Sequence, residues 1–257
     1  MSITRWLSPL LVALGILGVW EFGVRAAGIP PFILPTPSRV LITLWDNLDN
    51  LLPAWWFTVR ITFVALALAA LGGVLIAAAF ALSKTLERAL LPYAIVLQVT
   101  PIVAIAPLLL IYIDSTTTAL LICTWIVAFF PILANTLAGL RAVDPNLREL
   151  FQLYAATPLQ RLRWLLAPTA LPYFIAGLKI SGGLALIGAV VAEFAAGAAG
   201  RETGLASRIL EASFRTEIPK MYAALVLISL TGIAIYLTFS FLAERLLVRW
   251  QGEVARS

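Results

Sequence analysis

The side chains that usually carry proton transfer or metal ligation are almost missing from this chain. Histidine is absent and Cys123 is the single cysteine. That removes the commonest general base, the commonest metal ligand and any internal disulfide. The sequence has no Gly-x-x-x-x-Gly-Lys-Ser/Thr loop, so it lacks the usual phosphate cradle for hydrolysing ATP. No paired-carboxylate motif stands out either. What is chemically distinctive is 141–172, where charges, capping residues and apolar residues alternate at helical spacing. Such a pattern suits docking against another surface.

Two amphipathic helices are expected there. Asp144-Pro145 is a start signal, an acid able to cap followed by a proline whose fixed φ suits the first turn. Leu147, Leu150, Phe151 and Tyr154 recur on one side, with Arg148, Glu149 and Gln152 on the other. The second helix opens at Thr157-Pro158-Leu159-Gln160, the pattern of a capping box. Its apolar stripe is Leu159, Leu162 and Leu166, with Gln160, Arg161 and Arg163 facing away. Pro158 disfavours helical backbone at Thr157, so the helices should meet at an angle. Pro168 and Pro172 are expected to break the chain before it becomes apolar again.

The remainder must live in lipid. Of 257 residues, 61% are hydrophobic and 12% charged, with a mean hydropathy of +0.98. Soluble domains carry roughly 45–50% apolar and about 25% charged residues. An all-α polytopic membrane protein with about six spans is expected. The spans fall near 6–27, 55–82, 89–113, 119–140, 173–196 and 221–247. The first is read as a retained span rather than a cleaved leader. Between it and the second lie a proline-rich loop at 29–38 and an interfacial helix at 39–52 with Trp45 at headgroup level. Gly72-Gly73 suggests close helix packing, and Glu21 with Arg25 suggests a surface pair. The third span is expected to be broken by Pro92, Pro101 and Pro107.

Polar residues within spans are either packing devices or pathway candidates. Gln98, Thr100, Asn135 and Glu193 are the candidates for a substrate path, with kinked packing and interhelical bonding as the plain alternatives. Lys179 is expected to snorkel. Basic residues weigh the 83–88 turn, the 141–172 loop and both termini (Arg5, Arg245, Arg249, Arg256) toward the cytoplasm, leaving Arg201–Glu202 and 208–220 outside. Both termini are then cytoplasmic. The chain is read as one transmembrane domain, 1–257, with a core of about 55–247 and a loop of about 141–168. Neither a nucleic-acid face nor an inverted repeat is apparent.

The 141–172 loop resembles the "EAA" loop of permease subunits in binding-protein-dependent ABC importers, a pattern of Glu-Ala-Ala, then Gly, then Ile-x-Leu-Pro. Glu149 falls at the Glu, Ala155 at the Gly, Leu165 at the Ile and Pro168 at the Pro. Leu150 and Phe151 replace the alanines, and Ala167 replaces the Leu. LPTPSRV at 34–40, FFPILANTLAGLRAVDP at 129–145, LAPTALPYFIAGLK at 166–179 and VVAEF at 190–194 extend the likeness over nearly the whole chain. They resemble the branch serving nitrate, sulfonate, taurine and pyrimidine or vitamin-precursor importers. Tyr112–Asp114 departs from it, where a Gly-rich turn is usual.

That resemblance implies a type I importer permease fold with cytoplasmic coupling helices, in the cell inner membrane. It implies docking of Arg148, Glu149, Tyr154, Ala155, Ala156, Thr157, Gln160 and Arg161 on a cytoplasmic ABC ATPase, which holds the ATP and Mg. It also implies a homodimer and a soluble or lipid-anchored substrate-binding protein, with no catalysis, metal or cofactor in this chain. A passive channel or a secondary transporter is the rival among transport proteins, and an intramembrane enzyme the rival class.

Overall fold

The computed structural model describes residues 4–197 and 203–254, with the side chains of 4–6 and 247–254 left aside. Expectations placed on Arg201, Glu202 and Arg256 therefore lie outside the described residues, and those on Arg5 and Arg249 fall on side chains left aside. In chain order the helices are α1 (Thr4–Ala26), α2 (Pro37–Asp46), α3 (Leu48–Leu82), α4 (Lys84–Val99), α5 (Ile102–Tyr112) and α6 (Thr116–Arg141). They continue as α7 (Pro145–Leu153), α8 (Pro158–Arg161), a π-turn (Leu162–Leu166), α9 (Ala167–Ala196), α10 (Leu205–Phe214) and α11 (Ile218–Val254). No strand occurs among the described residues. Among the described residues, five helices are long and apolar enough to cross a membrane, and α4 with α5 adds a sixth crossing if that bent pair is one span.

The residues fall into two compact units, Met1–Phe57 with Gly197–Ser229, and Thr58–Ala196 with Leu230–Ser257. In the first, Val40, Leu51, Ala54, Leu205, Ala223 and Ala224 form a buried cluster. The expected pair at the end of the first span is present, with Arg25 2.5 Å from Glu21. Glu21 also accepts the Ser38 backbone N–H at 3.0 Å and its hydroxyl at 2.8 Å. Thr36 caps α2, accepting the Arg39 N–H, and Pro37 sits in its first turn. Leu41, Ile42 and Trp45 stay exposed, as an interfacial helix requires.

That helix is shorter than expected. It ends at Asp46, where Asn47 caps it and donates its side-chain amide to the Thr43 carbonyl. The next helix then starts at Leu48 rather than near Trp55, because Leu51 and Ala54, both ahead of Trp55, are apolar enough to enter the core. The segment read only as polar, before the last span, holds α10, with Leu205, Ala206 and Ala212 buried. Its Glu211 accepts from Arg208 at 2.9 Å and pairs with Arg215 at 2.8 Å. The Arg208 hydrogen bond, helped by the Arg215 charge, holds that carboxyl below its ordinary range.

The second unit is organised around α6 and α9, its most extensively contacting pair. Small residues set their spacing. A Cβ on Gly139 would lie 2.7 Å from Tyr173 Cβ and 2.8 Å from the Ala170 Cα. One on Gly177 would lie 2.9 Å from the Pro131 carbonyl oxygen. The Ser181 hydroxyl donates to the Ala128 carbonyl at 2.6 Å, tying the helices directly. Gly73 of α3 meets Ile132 in the same way, as the Gly-Gly pair suggested. Without a hydrophobic drive between helices in lipid, such close packing and hydrogen bonding hold a bundle together.

Two proline expectations need correction. Pro101 does break the third span, at a bend of 99° between α4 and α5, but Pro92 and Pro107 lie inside those helices. Pro168 and Pro172 do not break the chain: α8, the π-turn and α9 run on as one 39-residue helix, Pro158–Ala196. The π-turn supplies the reason. There the Ala167 N–H reaches back to the Leu162 carbonyl, and this wide turn just before Pro168 relieves the clash between a helical proline and the preceding turn. The expected second stripe shifts accordingly. Leu165 is buried, Leu162 and Leu166 pack against the core, and Leu159 is exposed.

Gly139→Ala should destabilise the protein by ~1–3 kcal/mol through overpacking. Gly183→Ala, where nothing lies within 4 Å of the added carbon, should be neutral. Thermal unfolding of the detergent-solubilised variants checks the contrast.

Candidate functional site

The elbow between α6 and α9 is built from local signals. Asp144 caps α7 by accepting the Asn146 N–H at 2.7 Å, and Pro145 occupies the first turn. α7 ends in a Schellman arrangement, with the Ala156 N–H on the Phe151 carbonyl at 3.0 Å and the Ala155 N–H on that of Gln152 at 2.9 Å. Ala155 takes the left-handed position at φ 49°. Glycine is the residue that usually sits there. Thr157 then caps α8. Its oxygen accepts the Gln160 N–H at 3.3 Å, and the Gln160 side chain accepts the Thr157 N–H at 2.8 Å. Both bonds of the expected capping box are made.

The result is a sharp, well-capped elbow whose second arm is the start of a membrane helix. At about 1.5 Å per residue, a 39-residue helix runs to roughly 58 Å, against a hydrocarbon core of about 30 Å. Part of it must stand clear of lipid. The Pro158 end carries Gln160, Arg161 and Arg163, so that is the end that protrudes. No residue of α7 is buried. Leu150, Phe151, Tyr154, Ala156, Gln160 and Trp164 line a groove of about 380 Å³ between the two arms. Tyr154 is 80% and Trp164 64% exposed. Large apolar surface in the polar part of such a protein marks a contact site.

The eight expected docking residues lie together on this elbow. Arg148, Glu149, Tyr154, Ala155, Thr157 and Gln160 are exposed, and Ala156 and Arg161 half-buried. Leu150, Phe151 and Trp164 are groove residues that the docking set omitted. Trp164 had a signal: it stands one turn after Gln160, on the face pointing back to Tyr154. A second omission is the Glu87–Arg141 ion pair, which joins the foot of α4 to the end of α6 beside the elbow.

The pathway candidates are held by different neighbours. Gln98 is exposed on the last turn of α4. Thr100 lies in the α4–α5 bend and donates its hydroxyl to the Val96 carbonyl at 2.6 Å. Asn135 is half-buried and donates to the Pro131 carbonyl on its own helix at 2.8 Å. Glu193 is only 1% exposed and accepts the Thr58 hydroxyl at 2.8 Å, from α3. Lys179 stacks its ammonium 4.5 Å from the centre of the Tyr236 ring.

Apolar helices long enough to span a membrane, with a stiff, exposed elbow between two of them, define a polytopic membrane protein. The family described as the inner membrane component of binding-protein-dependent transport systems matches residues 69–251, and the chain belongs to it. The riboflavin transport system permease protein of Chloroflexus aurantiacus is 35% identical, over 92% of this chain and 87% of its own length. The formylaminopyrimidine transport permease protein of Halalkalibacterium halodurans is 31% identical, over 95% and 96%. The crystal structure of an amino acid ABC transporter superposes with a TM-score of 0.59 at 20% identity, covering 79% of this chain and 92% of that one. The fold is thus that of a type I ABC importer permease. The chain is a multi-pass inner-membrane permease subunit of an importer for small solutes, and its family is not itself catalytic.

Ala155→Gly should stabilise the elbow by up to ~1 kcal/mol, since the left-handed region costs an alanine roughly 1–2 kcal/mol and glycine almost nothing. Hydrogen-exchange protection of the α7–α8 amides reads the change. Ala155→Val should lower it.

Proposed function

We propose that this chain pairs with itself to form the pore of an ABC importer driven by two copies of a cytoplasmic ATPase. The 145–166 elbow is the docking element. Its exposed apolar groove, on an elbow that also exposes Arg148 and Glu149, is the observation that carries this reading. ATP and Mg belong to the partner, and the elbow delivers the partner's closure to α9 as displacement of a helix end. Both termini and the elbow then face the cytoplasm, and a soluble or lipid-anchored binding protein delivers the solute to the opposite face.

The solute is a small polar molecule of the pyrimidine or vitamin-precursor class, as the names of the two relatives suggest for them. Gln98, Thr100, Asn135 and Glu193 are the residues proposed to border its path. Glu193 and its Thr58 partner would serve as a polar lock between α3 and α9 beside that path.

The test is a reconstituted complex of permease, ATPase and binding protein. Stimulation of ATP hydrolysis by loaded binding protein is expected in the wild type. Ala155→Trp, which adds bulk at the left-handed tip of the elbow, should abolish that stimulation while the protein still inserts and remains folded. Unimpaired coupled hydrolysis in this variant would refute the docking role. Solute flux without ATP would instead indicate a passive channel or secondary transporter.

A further inference from the structure

Next to the elbow lies a cavity to which the transport reading assigns no ligand. It measures about 320 Å³ and sits where three membrane helices change from apolar to polar. Phe80 and Leu140, from the last turns of α3 and α6, and Leu165 and Leu166 of the π-turn supply an apolar floor. Lys84, Arg141, Arg148 and Arg161 supply the polar lining. Glu87 is the single carboxylate among the lining residues, and it is engaged by Arg141. The lining thus carries four cations against one anion, a net charge of about +3.

We propose that this cavity binds the phosphate headgroup of an anionic phospholipid. Four cations converging from four different helical elements would repel one another if left without an anion. A single phosphodiester can accept from several of them at once, since guanidinium groups present forked donors that match phosphate oxygens. The position of the cavity selects a lipid over a soluble anion. α3 ends at Leu82 and α6 at Arg141, so the cationic lining sits where apolar spans give way to charged residues, with the apolar floor on the span side, as a headgroup site would require. Basic pockets between spans at a membrane surface recognise acidic lipids on this same physical basis. Arg148 and Arg161 belong to both the elbow and the cavity, so a bound headgroup would brace the elbow against the ends of α3 and α6. The binding itself does not depend on the proposed ATPase docking and is measured without it.

The full chain, purified in detergent, is titrated with phosphatidylglycerol, phosphatidylcholine or inorganic phosphate and followed by native mass spectrometry and thermal unfolding. Phosphatidylglycerol is expected to bind and to stabilise; phosphatidylcholine is expected to do so much less. Lys84→Ala, outside the docking set, should weaken phosphatidylglycerol binding about five-fold, as for loss of one juxtamembrane cation, and Lys84→Arg should restore it. Glu87→Gln removes the lining carboxylate and should tighten binding, a gain that damage to the fold does not produce. Equal binding of the two lipids, no change in either Lys84→Ala or Glu87→Gln, or displacement of phosphatidylglycerol by inorganic phosphate alone at similar concentration would overturn the proposal.

Discussion

The second arm of the elbow and a membrane span are one continuous helix, so a force applied to the elbow would act directly on the bundle. A hinge at Pro168 or Pro172 would let the exposed arm pivot while the span stayed still. The chain avoids a break by placing a π-turn at Leu162–Leu166, ahead of the first proline, and so carries helical structure from Pro158 to Ala196. Rigidity at the tip comes from two caps set back to back, the Schellman turn closing α7 and the capping box opening α8. Each bond is worth only about 1 kcal/mol, but together they leave the tip few alternatives.

Any displacement of α9 would be felt across the unit because α9 is gripped along its length. Gly139 and Gly177 bring α6 within backbone contact of it, Ser181 bonds the Ala128 carbonyl, and Glu193 near the far end takes the Thr58 hydroxyl. Interfaces this close have little room to deform continuously, so a push at one end is passed on as a shift of packed helices. A buried carboxylate in such a setting is expensive unless bonded. Its presence on α9, with a partner on α3, links the helix that carries the elbow to a second wall of the unit.

Much of this was legible in the sequence because the signals were local. Asp144-Pro145 and Thr157-Pro158-Leu159-Gln160 determine caps by side-chain chemistry within a few residues, and both caps form. The Glu21–Arg25 pair, the tight Gly73 contact and the break at Pro101 follow from equally short-range rules. What was missed depends on tertiary context. Nothing in the spacing of Pro168 and Pro172 reveals a π-turn, since a wide turn is stabilised by the packing of Leu165 and Leu166 on the bundle. The early start of α3 depends on burial of Leu51 and Ala54 against α10 and α11 residues distant in sequence. The basic cavity is gathered from α4, α6, α7 and α8, so no window along the chain displays it.

The central claim is that the α7–α8 elbow stands on the cytoplasmic side and is covered by an ATPase. Single cysteines introduced as Glu149→Cys and Leu153→Cys test it directly, because the native Cys123 is buried. A membrane-impermeant maleimide should label both sites in inside-out vesicles and neither in intact cells, and bound ATPase should protect them. Labelling from the outside of intact cells, or labelling from within that the ATPase leaves unchanged, would contradict the claim.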